Sequence, residues 1–265
     1  MNAIGLYKSE RLPLTPLARW PYLNHQNQPV LAAVRLLAFP FAGGNKYAYL
    51  PYNEHLAGSV EFLVFEGPGR GDRFREPLLD HIDDVVEDYW RQVSGYLNQP
   101  YALYGHSFGA MVSFLLARRA VQEGFRPPQR VFLSGRVPPT WPDEGDKLWK
   151  MDHERFWAGI KAYGGSPEAL LRHPELMALY EPMIRADLKA LDSYQHSQPA
   201  PLPVPFTVLL GTREKITMQS APEWQRETSI PLQIHQFEGG HFWILDHVKE
   251  LTALLLASLT GVRAV

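Results

Sequence analysis

The chain has 265 residues, of which 45% are hydrophobic and 20% charged, and its formal net charge is −2. This length and composition are typical of one large globular domain, and the near-neutral charge gives no sign of a nucleic-acid partner. The absence of cysteine excludes thiol catalysis, a disulfide framework and cysteine-ligated zinc, and it fits a reducing cytoplasm.

The N-terminal segment, residues 1–33, is predicted to be an extended leader, because Pro13, Pro16, Pro21 and Pro29 interrupt it. The segment lacks the continuous apolar run of a secretory signal peptide. No stretch of the chain approaches the roughly 20 apolar residues that a membrane span needs. We therefore expect a soluble, cytoplasmic protein with no membrane contact, whose folded domain is residues 34–265.

From residue 34 onward, strand-like and helix-like segments alternate. Short apolar runs predict strands at residues 34–39, 61–65, 101–104, 130–134, 206–210 and 232–237. Helical periodicity and composition predict helices at residues 80–97, 107–123 and 245–259. Strands separated by helices indicate βαβ units, so the predicted fold class is α/β, with a mainly parallel sheet flanked by helices.

One segment departs from this alternation. About 70 residues separate the strand at 130–134 from the strand at 206–210, whereas a crossover needs far fewer. Helical patterns lie at 153–163, 167–171 and 174–194. We interpret residues 138–200 as a helical lid over the carboxyl edge of the sheet, where ligands of such sheets bind. The alternative is a plain helical subdomain that only extends the core.

The motif GHSFG at residues 105–109 predicts a nucleophilic serine at Ser107. It follows an apolar strand and opens a helix, which is the context of the nucleophile elbow of α/β-hydrolases. The flanking glycines leave room for strand and helix to approach the sharp turn. The alternative, a serine that only caps the helix, would not need both glycines.

A base is required because a serine hydroxyl is unreactive until its proton is removed. In α/β-hydrolases the chain order is serine, then acid, then histidine. His241 follows the last predicted strand and two glycines, so it is the predicted base. His106, His235 and His247 compete for this role from the elbow, a strand and a helix, respectively.

The acid of the triad should follow the strand at 206–210. Glu214 is the only carboxylate in the loop at 211–215, and it would accept a hydrogen bond from the imidazole Nδ1–H. The alternative is a surface ion pair between Glu214 and a neighbouring cation. Asp246 and Asp192 are the reserve candidates.

A glycine-bearing loop, FPFAGG at residues 39–44, closes the first strand and is the candidate oxyanion loop. The backbone N–H of Phe41 or Ala42 would be one oxyanion donor, and the N–H of Phe108, next to the nucleophile, the other. The alternative is a simple turn from strand to helix.

Five motifs in this order resemble the type II thioesterases of nonribosomal peptide and polyketide synthesis. They are FPFAGG, GPGRGDR, GHSFGA, LSGR and GGHFWIL, and the resemblance covers roughly residues 34–260. It implies an α/β-hydrolase fold with a helical lid, a nucleophile at Ser107 and a histidine at His241. The chain departs from the family at the acid, because the family usually has aspartate where Glu214 stands.

The resemblance also implies the reaction. Similar proteins are stand-alone editing hydrolases that remove acyl groups from the phosphopantetheine arm of a carrier protein, so the implied partners are an acyl or peptidyl carrier protein and its acyl thioester. No metal or organic cofactor is implied. The arginines of GPGRGDR, Arg70 and Arg73, are either structural, which we favour, or lie near the face that meets the carrier protein.

Several alternatives remain open at this point. The lid aromatics either line an acyl channel or pack the lid against the core; they are Trp141, Trp149, Phe156, Trp157 and Tyr163. The same triad would also serve a small-molecule esterase, or an acyltransferase or cyclase. Because glutamate is unusual at position 214, a further alternative is a non-catalytic partner protein that keeps the fold but does not turn over substrate.

Overall fold

The computed structural model describes residues 34–141, 147–162, 168–197 and 200–260. The predicted leader at 1–33 lies outside the described residues. Six strands form one sheet, in the order β2-β1-β3-β4-β5-β6. They are β1 Arg35–Phe39, β2 Glu61–Val64, β3 Tyr101–His106, β4 Val131–Ser134, β5 Phe206–Gly211 and β6 Gln233–Phe237. Every predicted strand is found, with ends that differ by two residues or fewer.

All neighbouring strands of the sheet are parallel, so their carboxyl ends lie at one edge. Phe39 pairs with Gly105, His106 with Ser134, and Gly211 with Phe237. The loops that follow β1, β3, β5 and β6 are therefore brought to the same edge, although they are far apart in sequence.

The sheet is covered on both faces, which explains why its central strands read as continuous apolar runs. Successive side chains of a strand point to opposite faces. Leu37 and Phe39 of β1 accordingly pack in one buried cluster, and Leu36 and Ala38 pack in another. β6 lies at the edge of the sheet and has exposed side chains.

The flanking helices supply much of the rest of the two clusters. These helices are α1 Asn53–Leu56, α2 Ile82–Val93, α3 Phe108–Gln122, α7 Lys215–Ser220, α8 Trp243–Asp246 and α9 Val248–Thr260. α2 and α3 pack on one face of the sheet, and α1, α8 and α9 pack on the other. The predicted helix at 245–259 is two helices, because the chain leaves the helical conformation at His247 (φ −110°, ψ 36°).

The segment between β4 and β5 is helical, as predicted. It contains α4 His153–Ala162, α5 Glu168–Leu171 and α6 Pro174–Asp192. A third, smaller apolar cluster, centred on Phe156, Trp157 and Ile184, holds these helices together. In the part of the chain that the structure describes, no helix has the length and apolar character needed to cross a bilayer.

Candidate active site

Ser107 occupies a strained turn between β3 and α3. Its backbone angles are φ 54° and ψ −110°, and it is the only described residue other than glycine with a positive φ. Such strain persists only where the surrounding structure enforces it, and it is common at functional sites. The Ser107 side chain caps none of the N–H groups of α3, all of which are described, so the interpretation as a simple helix cap is not supported.

The two glycines of the GHSFG motif are required by close backbone contacts. A Cβ atom on Gly105 would lie 1.9 Å from the carbonyl oxygen of Gly109. A Cβ atom on Gly109 would lie 2.0 Å from the carbonyl oxygen of Phe39, at the end of β1. These contacts bring the N-terminus of α3 against the carboxyl ends of β1 and β3, with Ser107 at the corner.

His241 lies in the loop between β6 and α8, and Glu214 lies beside it. The Nδ1 of His241 is 2.6 Å from the Oε1 of Glu214. The second carboxylate oxygen, Oε2, accepts the N–H of Gly211 at 2.7 Å. Because the side chains of Glu214 and His241 are only 6% and 13% exposed, this pair is shielded from water.

The other carboxylates considered for the acid lie elsewhere. Asp246 is exposed near the end of α8. Asp192 pairs with Lys147 and accepts the Nε1–H of Trp149. The structure thus brings Glu214, and neither reserve candidate, to His241.

The other histidines that competed for the base are engaged differently. His247 contacts the carbonyl oxygen of Glu238 through Nε2 at 2.8 Å, and His235 is exposed on β6. His106 is fully buried, and its Nδ1 lies 2.8 Å from the hydroxyl of Ser134.

The ring of His106 lies directly beside that of His241, with 4.7 Å between the ring centroids. Burial, and secondarily the neighbouring His241, lowers the pKa of His106 well below its ordinary value. His106 is therefore a neutral support for the His241 ring, and it is not among the residues that line the cavity described next.

Ser107 and His241 line one cavity of about 310 Å³. Its floor is the sheet edge and the loop at 41–45, and its roof consists of apolar side chains from the segment between β4 and β5. These roof residues are Leu148, Ile160, Leu170, Leu176, Tyr180, Ile184, Leu188 and Leu191. The helical segment therefore covers the carboxyl edge of the sheet, which is the arrangement expected of a lid.

The lid aromatics named from the sequence do not line the cavity where they are described. Trp141, Trp149, Phe156 and Trp157 are absent from its wall, and Phe156 and Trp157 are buried in the cluster that joins the helices. Tyr163 lies outside the described residues. Packing is thus the role the structure supports for Phe156 and Trp157, whereas Trp149 donates its Nε1–H to Asp192.

Two N–H groups of the candidate oxyanion loop, residues 39–44, already have acceptors. Gly44 donates to the carbonyl of Phe41 at 2.7 Å, and Gly43 donates to Oδ2 of Asp187 at 2.8 Å. Among the described residues, no acceptor binds the N–H groups of Phe41, Ala42 or Phe108. Phe41 and Ala42 line the cavity with Ser107, so these N–H groups are available for an oxyanion there.

The arginines of GPGRGDR are both engaged in ion pairs within the chain. Arg70 binds Asp187 through two parallel hydrogen bonds, and Arg73 binds Glu76 and Asp88 in the same way. Both guanidinium groups are buried, which agrees with the structural role that we favoured.

Sequence reasoning missed three residues at this site. Asn45 and Arg136 line the cavity, and Asp187 of α6 accepts the N–H of Gly43 in the candidate oxyanion loop. Arg136 belongs to the LSGR motif, so the motif was a signal for it. Nothing local marks Asp187, because its partner Gly43 is 144 positions away in the chain.

Comparison with known proteins shows which family the chain resembles. The family model described as a thioesterase domain matches residues 34–259. The thioesterase PikA5 of Streptomyces venezuelae is 35% identical over 83% of this chain and 79% of its own length. The gramicidin S biosynthesis protein GrsT of Aneurinibacillus migulanus is 30% identical over 88% of this chain and 91% of its own length.

A solved structure supports the same grouping. The type II thioesterase BorB from the borrelidin biosynthetic cluster superposes with a TM-score of 0.79 at 29% identity, covering 88% of this chain and 95% of the other.

Proposed function

The chain belongs to the thioesterase family of α/β-hydrolases, and from this premise we propose that it is a stand-alone serine thioesterase that hydrolyses acyl groups from the phosphopantetheine arm of a carrier protein. The α/β-hydrolase fold and the resemblance to type II thioesterases predicted from the sequence are confirmed. The pathway class proposed for its partner is nonribosomal peptide or polyketide synthesis.

One observation carries the proposal: His241, which is hydrogen-bonded to Glu214, lines the same largely apolar cavity as the strained Ser107. In the proposed mechanism the imidazole of His241 takes the proton of Ser107, and Oγ attacks the thioester carbonyl. Glu214 holds the imidazole tautomer through Nδ1 and stabilises the imidazolium that forms.

The negative charge that develops on the carbonyl oxygen is bound by backbone N–H groups. Phe108 supplies one donor, and Phe41 or Ala42 the other. His241 then returns the proton to the departing thiol, and a water molecule activated by the same imidazole releases the acid from Ser107. These residues supply nucleophile, base, acid and oxyanion donors, so the proposed mechanism uses no metal or organic cofactor.

The glutamate at position 214 is compatible with this mechanism. Glu214 directly precedes α7, and its side chain folds back so that Oε2 reaches the N–H of Gly211 while Oε1 reaches His241. The extra methylene relative to aspartate is taken up by this fold-back. The geometry therefore supports an active triad over a protein that keeps the fold without turnover.

The wall of the cavity supports an apolar acyl group as the substrate. Eight apolar or aromatic side chains of the segment between β4 and β5 line the same cavity as Ser107. We also propose that this segment, residues 138–200, acts as a lid, and that residues 1–33 are a leader outside the catalytic domain. The compartment proposed for the reaction is the cytoplasm, with which the cysteine-free composition is compatible.

A comparison of Ser107→Ala with the unmodified protein tests the function. An octanoyl thioester on the phosphopantetheine arm of a purified carrier protein is the substrate, and the measurement is release of octanoate by mass spectrometry. We expect Ser107→Ala to lose at least about 10³-fold in turnover. The matched control is Ser113→Ala, a buried serine on the same helix, which should retain turnover.

Three results would contradict the proposal. Equal hydrolysis by the unmodified protein and Ser107→Ala would remove Ser107 as nucleophile. Faster turnover of octanoyl oxygen esters than of the carrier thioester would point to a small-molecule esterase, and a product joined to another nucleophile would point to an acyltransferase or cyclase.

A further inference from the structure

We propose that Asp187, held by Arg70, is a positioning residue for the oxyanion loop, so that helix α6 of the lid segment is part of the catalytic geometry. This inference rests on the proposed thioesterase function. Neither side chain lines the cavity, so both would act through Gly43, which does.

Asp187 uses both carboxylate oxygens in buried contacts. Oδ2 accepts the backbone N–H of Gly43 at 2.8 Å and one N–H of Arg70 at 2.7 Å. Oδ1 accepts a second N–H of Arg70 at 2.8 Å. The side chains of Arg70 and Asp187 are only 4% and 2% exposed, so water cannot replace either partner.

The same helix also packs directly on the loop. Gly43 has φ +71°, and a Cβ atom built on it would lie 2.5 Å from Cγ1 of Ile184. Ile184 and Asp187 are three residues apart and so lie on one face of α6. Gly43 is therefore held by apolar contact and by a charged hydrogen-bond acceptor from the same turn of α6.

These contacts bear on the position of the oxyanion donors. Gly43 directly follows Phe41 and Ala42, which line the cavity and whose N–H groups have no acceptor among the described residues. A hydrogen bond to a carboxylate is roughly twice as strong as one between neutral groups, so it restricts the loop well. A backbone shift of about 1 Å at a catalytic group can cost about 10²-fold in rate.

Arg70 neutralises the negative charge that Asp187 places close to the proposed oxyanion loop. An unpaired negative charge near the oxyanion would oppose its formation in a site of low dielectric constant. The two parallel hydrogen bonds from Arg70 neutralise Asp187 and orient it. The guanidinium also connects α6 to the loop that follows β2, which places three separate parts of the chain in one buried cluster.

The test uses Asp187→Asn and Arg70→Lys in the full chain. Asn at position 187 keeps the shape but presents an N–H₂ group to Gly43 or to Arg70, and Lys at position 70 keeps the charge but loses the two parallel bonds. Active sites are counted by labelling Ser107 with a fluorophosphonate. The readouts are kcat per labelled serine, KM for the octanoyl carrier thioester, and the inhibition constant of octyl trifluoromethyl ketone, which forms a tetrahedral oxyanion on the serine.

We expect kcat per labelled serine to fall about 10- to 100-fold in Asp187→Asn and less in Arg70→Lys, with KM changed less than about 2-fold. The inhibition constant of the ketone should rise by a factor similar to the loss in kcat, because both depend on oxyanion binding. A merely structural role would reduce the number of labelled serines and the unfolding temperature but leave these two values unchanged.

Glu227→Gln is the matched control, because Glu227 forms another buried pair, with Arg118 at 2.7 Å, and does not line the cavity. It should lower the unfolding temperature and leave kcat per labelled serine unchanged. If Asp187→Asn does not fold, the same measurements on Arg70→Lys test the inference. Retention of kcat in every folded variant, while the unmodified protein hydrolyses the thioester through Ser107, overturns this inference and leaves the proposed function in place.

Discussion

At the residue scale, the Glu214 carboxylate links two loops at the sheet edge. One oxygen holds Nδ1 of His241 and the other holds the N–H of Gly211, at the end of β5. The loops are also close in their backbones, since a Cβ atom on Gly211 would lie 2.6 Å from the carbonyl oxygen of Gly239. The orientation of the imidazole therefore depends on a carboxylate whose own position is determined by the backbone.

Replacement of Glu214 by glutamine should lower kcat about 10³- to 10⁴-fold, because the charge that stabilises the imidazolium and selects its tautomer is lost. Glu214→Asp should lower kcat less than Glu214→Gln does, because it keeps the negative charge. It should still lower kcat, because the shorter side chain cannot reach both Gly211 and His241. Steady-state hydrolysis of the octanoyl carrier thioester measures both changes.

The control for position 214 is Glu238→Gln. Glu238 is an exposed carboxylate on the neighbouring loop that pairs with Arg213, and its loss should change kcat less than about 2-fold. Full activity of Glu214→Gln would assign the acid to another carboxylate.

His106 predicts a pH dependence of stability. Burial lowers its pKa in the folded protein well below the value of about 6.5 that it has when unfolded. Below pH 6.5 the unfolded chain therefore binds a proton that the folded chain rejects, so His106 makes the free energy of unfolding decrease as the pH falls. The expected slope from this one group is up to about 1.4 kcal/mol per pH unit.

Urea unfolding at pH 7.5 and pH 5.5 measures this effect. His106→Gln should lose less free energy of unfolding between the two pH values than the unmodified protein does, even if it is less stable at both. The exposed His55→Gln should show the pH dependence of the unmodified protein. The same dependence in His106→Gln would mean that His106 is not the group responsible.

Among the helices, α6 both lines the proposed substrate cavity and contacts the proposed oxyanion loop. Leu176, Tyr180, Ile184, Leu188 and Leu191 face the cavity, whereas Asp187 contacts the loop at Gly43. The spacing of three and four residues places the apolar side chains along one stripe of the helix. A change in the position of α6 would thus affect both acyl binding and catalysis.

Leu188→Phe should restrict the cavity and shift the preference towards short acyl groups. The larger side chain takes space from a cavity of about 310 Å³, so octanoyl thioester should lose kcat/KM about 10-fold relative to acetyl thioester. The measurement is kcat/KM for both thioesters on the same carrier protein. Leu179→Phe, on the exposed face of α6, is the control and should leave the ratio unchanged. An unchanged ratio in Leu188→Phe would place the acyl chain elsewhere.

At the scale of the whole molecule, the parallel sheet gathers the site from distant parts of the chain. Phe41, Ser107, Glu214 and His241 follow four different strands, yet the carboxyl ends of these strands lie at one edge. Apolar clusters on both faces keep the sheet rigid, so that the loops are positioned by a stable scaffold.

A protein that begins at residue 34 should retain the fold and the activity. All six strands and the three proposed triad residues lie within residues 34–260, and the family model matches from residue 34. Thermal unfolding followed by circular dichroism should shift by less than about 5 °C, and kcat/KM should remain within about 2-fold. Loss of the cooperative transition on removal of residues 1–33 would show that this segment belongs to the domain.

Local sequence patterns were sufficient to predict the strands, the class of fold and the nucleophile motif. These features carry local signals, because an apolar run, a glycine two residues from a serine, and a strand followed by a helix are all read within a few residues. Two helix boundaries were not predicted. The break at His247 and the early end of α2 at Val93 are small local changes of backbone conformation, which the apolar pattern of the sequence does not show.

Which side chains meet depends on the tertiary structure. Three carboxylates were candidates to bind His241, and the choice of Glu214 depends on the distance between two loops that are 27 residues apart. The contact of Asp187 with Gly43 spans 144 residues, and whether the aromatics of the insertion pack or line the cavity depends on how its helices are oriented. Such pairings depend on the packing of the whole sheet and its helices, and no window of sequence contains that information.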